Sequence, residues 1–221
     1  MAGPDLHDIR GAIFDMDGTL LDSMSVWETL GADYLRTQGI EPRPGLREQI
    51  RNMSMREVAR YYQSAYGLQL SEIQIICGID ALLMRFYREQ AALKPGAAAL
   101  LKTLAGRGVR MCVATATDRP LVEAALKRTG IRGYFEEIFT CSETRCGKDR
   151  PYIYEMAWTR LGTPRAATWV FEDALYAVKT ARAAGFPVVG VFDRYERRTA
   201  EAARLSSVYV QSLTELEAYF I

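Results

Sequence analysis

Two aspartates stand two residues apart, Asp15 and Asp17 in GAIFDMDGTLLDS (residues 11–23), directly after an apolar run and before Gly18. Further apolar runs also end on polar groups. Thr115 closes VRMCVAT, Lys148 follows EIFT in the next loop, and Glu172 and Asp173 end TWVFED. If these ends share one rim, Asp15, Asp17 and Asp173 converge, and unpartnered carboxylates so placed repel until one takes up a proton. A hard divalent cation removes that conflict, and ligands made only of oxygen favour Mg2+. The cation and the Lys148 ammonium would draw in a phosphoryl group. The Thr115 hydroxyl and the amide groups after it, beginning with Ala116, would hydrogen-bond its oxygens at a helix start. Phosphoryl transfer asks mainly for positioning and charge neutralisation, which this set supplies.

A carboxylate can itself attack phosphorus. Asp15, the first residue off the apolar run, is the expected nucleophile. Asp17 lies on the same side of an extended segment. It can protonate the leaving alkoxide and then deprotonate a water. Gly18 lets the chain turn sharply beside them.

A shared rim requires a parallel sheet, because ligands of such sheets bind beyond the carboxyl ends of the strands. From residue 93 onward the pattern provides one. Strands VRMCVAT, EIFT, TWVFED, PVVGVF and VYV alternate with amphipathic helices, the last predicted over LTELEAYF. The first strand, IRGAIFDMD, is separated from them by about seventy residues with helical spacing and no strand signal: SVWETLGADYLRTQG, SMREVARYYQSAYG and SEIQIICGIDALLMRFYREQ. Trp27, Tyr61 and Tyr62 in this segment read as core, and Arg47, Arg51 and Arg56 as a solvated helix face.

Composition narrows the function classes. The 221 residues are 49% hydrophobic with a net charge of +1, so no basic excess points to nucleic acid or an anionic membrane. No stretch has the length of a membrane span and the first residues lack a signal-peptide core, so a cytoplasmic protein is expected, with no evident obligate protein partner. The four cysteines, Cys77, Cys112, Cys141 and Cys146, form no C-x-x-C pair and read as reduced thiols. A single histidine, His7, argues against a histidine base or a zinc cage. CGK at 146–148 is not a phosphate-binding P-loop, because Ser142 stands where its first glycine belongs.

DMDGTLLDS, VATAT, GKDRP and FED resemble the four motifs of the haloacid dehalogenase superfamily, across almost the whole chain. The helical segment resembles the cap of its phosphoglycolate phosphatase and β-phosphoglucomutase type. The resemblance implies a Rossmann-like α/β core over 1–22 and 93–221, a helical cap over 23–92, and Mg2+ held by the Asp15 carboxylate, the Asp17 backbone carbonyl and Asp173. It also implies an aspartyl-phosphate on Asp15, with Thr115 and Lys148 holding the phosphoryl group. The expected activity is hydrolysis of a small phosphorylated metabolite, of sugar phosphate or phosphoglycolate type. Phosphomutase and non-catalytic binding protein are the alternatives; Asp17 argues against dehalogenation. The chain departs from the pattern at Asp149, Tyr152, Ala174 and Ala177. Trp27 stands where mutases carry a histidine, and Met55, next to Arg56, where they carry an arginine.

Overall fold

A computed structural model describes residues 5–51 and 53–220. In chain order it contains β1 (Gly11–Phe14), β2 (Leu21–Asp22), α1 (Met24–Thr37), α2 (Leu46–Ile50), α3 (Met55–Tyr66) and α4 (Glu72–Glu89). Next come β3 (Ala92–Leu93), α5 (Ala97–Gly106), β4 (Arg110–Thr115), α6 (Arg119–Arg128), β5 (Glu137–Thr140) and α7 (Cys141–Thr144). The last elements are α8 (Tyr152–Leu161), β6 (Thr168–Glu172), α9 (Leu175–Ala183), β7 (Val188–Val191), α10 (Thr199–Leu205) and β8 (Val208–Val210).

Contacts divide the described residues into two compact units, one within Met1–Ser23 and Ala91–Ile221, the other Met24–Gln90. The first is built on a six-stranded sheet of order β5-β4-β1-β6-β7-β8 in which every pairing is parallel. Counted among the sheet's own strands, that order is 3-2-1-4-5-6, the doubly wound Rossmann arrangement. β1 and β6 are buried along their whole length, as strands covered on both faces must be. Phe14 and Phe171, directly paired in the register, stack with ring centroids 4.2 Å apart. On the other wall Ile13, Cys112 and Val170 pack with Ile153, Tyr154 and Ala157 of α8.

The antiparallel pair β2–β3 belongs to this unit, and its two-residue strands carry no sequence period that could announce them. The predicted terminal helix is instead a 3-10 helix, Leu213–Tyr219, opened by a capping box between Ser212 and Glu215.

The second unit is all helix. α3 and α4 each begin with a capping box, Ser54 with Glu57 and Ser71 with Gln74, and α3 stops at Gly67 in the left-handed conformation. Tyr34, Leu35, Tyr62, Ile75 and Ile79 form its core. Tyr62 is there as expected and Tyr61 is half-buried beside it, but Trp27 is 41% exposed, which corrects the core reading of that residue. It lies on the rim of a cavity of about 270 Å³ also lined by Arg47, Arg51, Met55 and Tyr62. Arg47 is paired with Glu28, whereas Arg51 and Arg56 are exposed. Among the described residues no helix is long and apolar enough to cross a membrane.

Candidate active site

Asp15 leaves β1 with its amide still donating to the Phe171 carbonyl of β6, 3.0 Å away. Side chains alternate along a strand. Because Phe14 and Phe171 meet on one face, Asp15 and Glu172, the next residues, both turn to the other. Asp173 follows on the same strand end. Oxygens of Asp15, Glu172 and Asp173 lie within 4.8 Å of one another, and all three residues are buried. They emerge where the strand order reverses, between β1 and β6, which is where doubly wound sheets place their ligands.

Lys148 reaches into this cluster from the loop between α7 and α8. Only 3% exposed, its Nζ donates to Asp15 Oδ1 and, at 2.6 Å, to Glu172 Oε1. Tyr154 on α8 donates to the same Glu172 oxygen at 2.8 Å. Burial by itself would push the Lys148 ammonium down, but the Asp15 and Glu172 carboxylates outweigh it and hold the group protonated. Burial, with Asp15 adding to it, raises the Glu172 carboxyl to about 7 against the pull of Lys148. Burial also lifts Asp173 well above the carboxylate range, reinforced by Asp15, Glu172 and Asp193. Asp193, just beyond β7, is itself bridged to Lys94 at 2.8 Å. With all four carboxylates ionised, the two ammonium groups would leave a deficit of two positive charges in a dry setting, which is why burial favours the protonated forms of Glu172 and Asp173. Donors made only of oxygen with that deficit fit a hard divalent cation.

The Asp17 side chain lies outside that oxygen cluster. Its Oδ1 accepts from Ser23 Oγ and its Oδ2 from Thr117 Oγ1 at 2.6 Å. The turn that presents it is closed by Gly18 N–H donating to Leu21 O at 2.9 Å, with Gly18 at φ +83°. A Cβ at Gly18 would fall into the Asp173 carboxylate, so glycine is demanded by conformation and by space together. Thr115 is buried at the end of β4, and its Oγ1 accepts from Thr117 N–H at 3.1 Å. The helix start expected there lies further on: Asp118 occupies the N-cap of α6, so Thr115 caps no helix and exposed Ala116 belongs to a loop.

Several residues here had no role assigned from the sequence. Ser23 and Thr117 lie inside the quoted stretches DMDGTLLDS and VATAT, but only folding shows that both serve Asp17. Thr19 donates to Asp173 Oδ1 at 3.0 Å across 154 residues of chain. Tyr154, Lys94 and Asp193 gave no local signal at all.

The strand order, with a buried acidic cluster at its switch point, defines a doubly wound α/β protein of Rossmann-like type. A family model described as haloacid dehalogenase-like hydrolase matches residues 9–185. Protein CbbY of Rhodobacter capsulatus is 28% identical over 225 residues, covering 95% of this chain and 99% of that protein. Hexitol phosphatase A of Escherichia coli is 27% identical over 212 residues, covering 90% and 88%. The crystal structure of CbbY from Rhodobacter sphaeroides in complex with phosphate superposes with a TM-score of 0.76 at 25% identity, covering 96% and 99%. The chain belongs to the haloacid dehalogenase-like hydrolases, in the group of phosphoglycolate phosphatase and β-phosphoglucomutase type. By enzyme class it is a phosphoric monoester hydrolase.

Proposed function

We propose that this hydrolase releases phosphate from a small phosphorylated metabolite, a sugar phosphate or a phosphoglycolate-like ester, through an aspartyl-phosphate on Asp15. The observation that carries the reading is the convergence of Asp15, Glu172, Asp173 and Lys148 at the switch point of the sheet. Asp15 attacks phosphorus, and the bond from phosphorus to the ester oxygen breaks. Asp17, steadied by Ser23 and Thr117, delivers a proton to the departing alkoxide. The same carboxylate then takes a proton from a water, whose oxygen attacks the phosphoryl group and frees Asp15 as inorganic phosphate leaves. Lys148 and the Thr115 hydroxyl hold the phosphoryl oxygens, with the loop amides from Ala116 onward assisting. Glu172 and Tyr154 fix the Lys148 ammonium in place.

The Asp15 and Asp173 carboxylates and the Asp17 backbone carbonyl are the proposed holders of Mg2+. When bound, the ion supplies the missing positive charge and screens the phosphoryl oxygens from the attacking carboxylate. Thr19 keeps Asp173 turned toward that position. The helical unit, Met24–Gln90, is the proposed cap that reads the rest of the substrate.

A panel of phosphorylated metabolites, with p-nitrophenyl phosphate as a general ester, tests this by release of inorganic phosphate with Mg2+ and with EDTA. The expected result is metal-dependent release that Asp15→Asn abolishes. Conversion of a hexose 1-phosphate to its 6-phosphate without free phosphate would replace hydrolysis by a mutase. No turnover of any ester would leave a binding protein.

A further inference from the structure

The loop that carries Lys148 begins with two thiols held close together. Cys141 opens α7 and Cys146 follows it, joined by a hydrogen bond from the Cys146 N–H to the Cys141 carbonyl at 3.2 Å. The Thr144 hydroxyl, which donates to the Thr140 carbonyl at 3.0 Å, also lies 3.3 Å from both the Cys141 and the Cys146 carbonyls. Between them Arg145 sits at φ +53°, the one non-glycine residue with positive φ among those described, and its N–H also donates to Cys141 O. Holding a side-chain-bearing residue there costs about 1–2 kcal/mol, so the surrounding bonds must impose the reversal. The 3.2 Å bond, with standard backbone lengths on either side, keeps the two Cα atoms within about 7 Å of each other. A disulfide spans about 4.4–6.8 Å between Cα atoms. Both cysteines are half-exposed, and the Cys141 thiol lies beside the Lys148 backbone. The first thiol therefore packs beside the residue that holds the Asp15 carboxylate.

We propose that Cys141 and Cys146 are a reversible oxidation site, closing to a disulfide with a peroxide and loosening the seat of Lys148. Burial pushes the Cys141 thiol up, which leaves Cys146 to meet the oxidant first. The Cys146 thiolate attacks one peroxide oxygen, the O–O bond breaks, and water or an alcohol leaves with the other oxygen. The Cys141 thiolate then attacks the Cys146 sulfenic sulfur, forming the S–S bond and expelling hydroxide, which leaves as water. Two thiols are oxidised and one peroxide is reduced. Once its sulfur is bonded to Cys146, the Cys141 side chain no longer packs beside the Lys148 backbone, and the ammonium loses its fixed approach to Asp15. The covalent step stands independently of the proposed reaction; its effect on turnover rests on that reading.

Arg145 lies between the two thiols and Lys148 just after them, so trypsin separates residues 133–145 from the tripeptide 146–148 unless a disulfide joins them. The full chain, reduced and then treated with hydrogen peroxide, is expected to yield those fragments linked, and dithiothreitol should release them. Hydrolysis of p-nitrophenyl phosphate should fall roughly tenfold on oxidation and recover on reduction, in keeping with one loosened charge-assisted contact. Cys146→Ser should keep the untreated rate and lose the peroxide response. Failure to find the linked fragments while exposed Cys77 becomes oxidised would overturn the site. Linked fragments with unchanged turnover, or an equal loss in Cys146→Ser, would overturn the switch. A protein without any esterase activity would still be judged by its fragments.

Discussion

Gly18→Ala gives a sharp test of how the site is built, because the structure separates its two costs. A side chain at φ +83° is strained by about 1–2 kcal/mol wherever it occurs. The added Cβ would also lie 2.7 Å from the Asp173 Cγ and closer still to its Oδ2, where ordinary contact begins near 3.4 Å, so the carboxylate has to retreat by about 1 Å. Metal ligands tolerate roughly 0.2 Å, and misplacing a reacting group by about 1 Å can cost roughly a hundredfold. The hydrogen bond from Thr19 to Asp173 would be strained as well. The expected result is a fall in kcat/KM of roughly 10- to 100-fold and a rise of about tenfold in the Mg2+ concentration giving half-maximal rate. Gly130→Ala is the matched control: it has φ +73° with nothing within 4 Å of its Cβ position. Gly18→Ala should lose at least as much stability in urea as Gly130→Ala, but only Gly18→Ala should lose activity and metal affinity. Equal kinetic behaviour of the two would refute the claim that Gly18 is kept to leave room for Asp173.

Lys148→Met should fold with a lower urea midpoint, because removing one partner of a buried ion pair costs about 3–5 kcal/mol, and it should hydrolyse p-nitrophenyl phosphate at least roughly a thousandfold more slowly. Asp17→Asn should cut turnover by roughly 10²–10⁴ and leave labelled phosphate on the protein, since loss of the acid/base slows release from Asp15; normal turnover would remove Asp17 from that role. Thr117→Val should reproduce that defect at about a tenth of its size or less, as it only orients Asp17. EDTA should abolish phosphate release and Mg2+ restore it, whereas the larger Ca2+ should restore little. Full activity in EDTA would mean that the acidic cluster holds no catalytic ion.

Much of the architecture was legible because a strand buried on both faces is a continuous apolar run and its end is marked by the first charge. GAIF before Asp15 and TWVF before Glu172 are such runs, and their polar ends pointed to one rim. Which strands neighbour each other was not written locally. The β1–β6 contact joins residues more than 150 apart and is decided by packing such as Phe14 against Phe171. Thr19 and Thr117 lie 154 and 100 residues from their partners and Tyr154 lies 18 from Glu172; all three are ordinary polar residues whose pairings exist only after folding. Glu172 was left without a role because a glutamate beside an aspartate gives no sign of which one will meet a lysine. Trp27 misled for a different reason. Helical spacing marks an apolar stripe but does not say whether it meets another helix or borders a cavity.

The central place of β1 also shapes how the chain must be made. Its two sheet neighbours, β4 and β6, are encoded only after the entire helical unit, so Gly11–Phe14 leaves the ribosome long before anything can cover it. For about a hundred residues of synthesis that apolar tetrapeptide is an exposed edge in search of a partner, the state in which nascent chains recruit chaperones or aggregate. The proposed nucleophile thus waits at the end of the first strand of this sheet to be made, and a product truncated before β6 lacks the Glu172 and Asp173 that meet it.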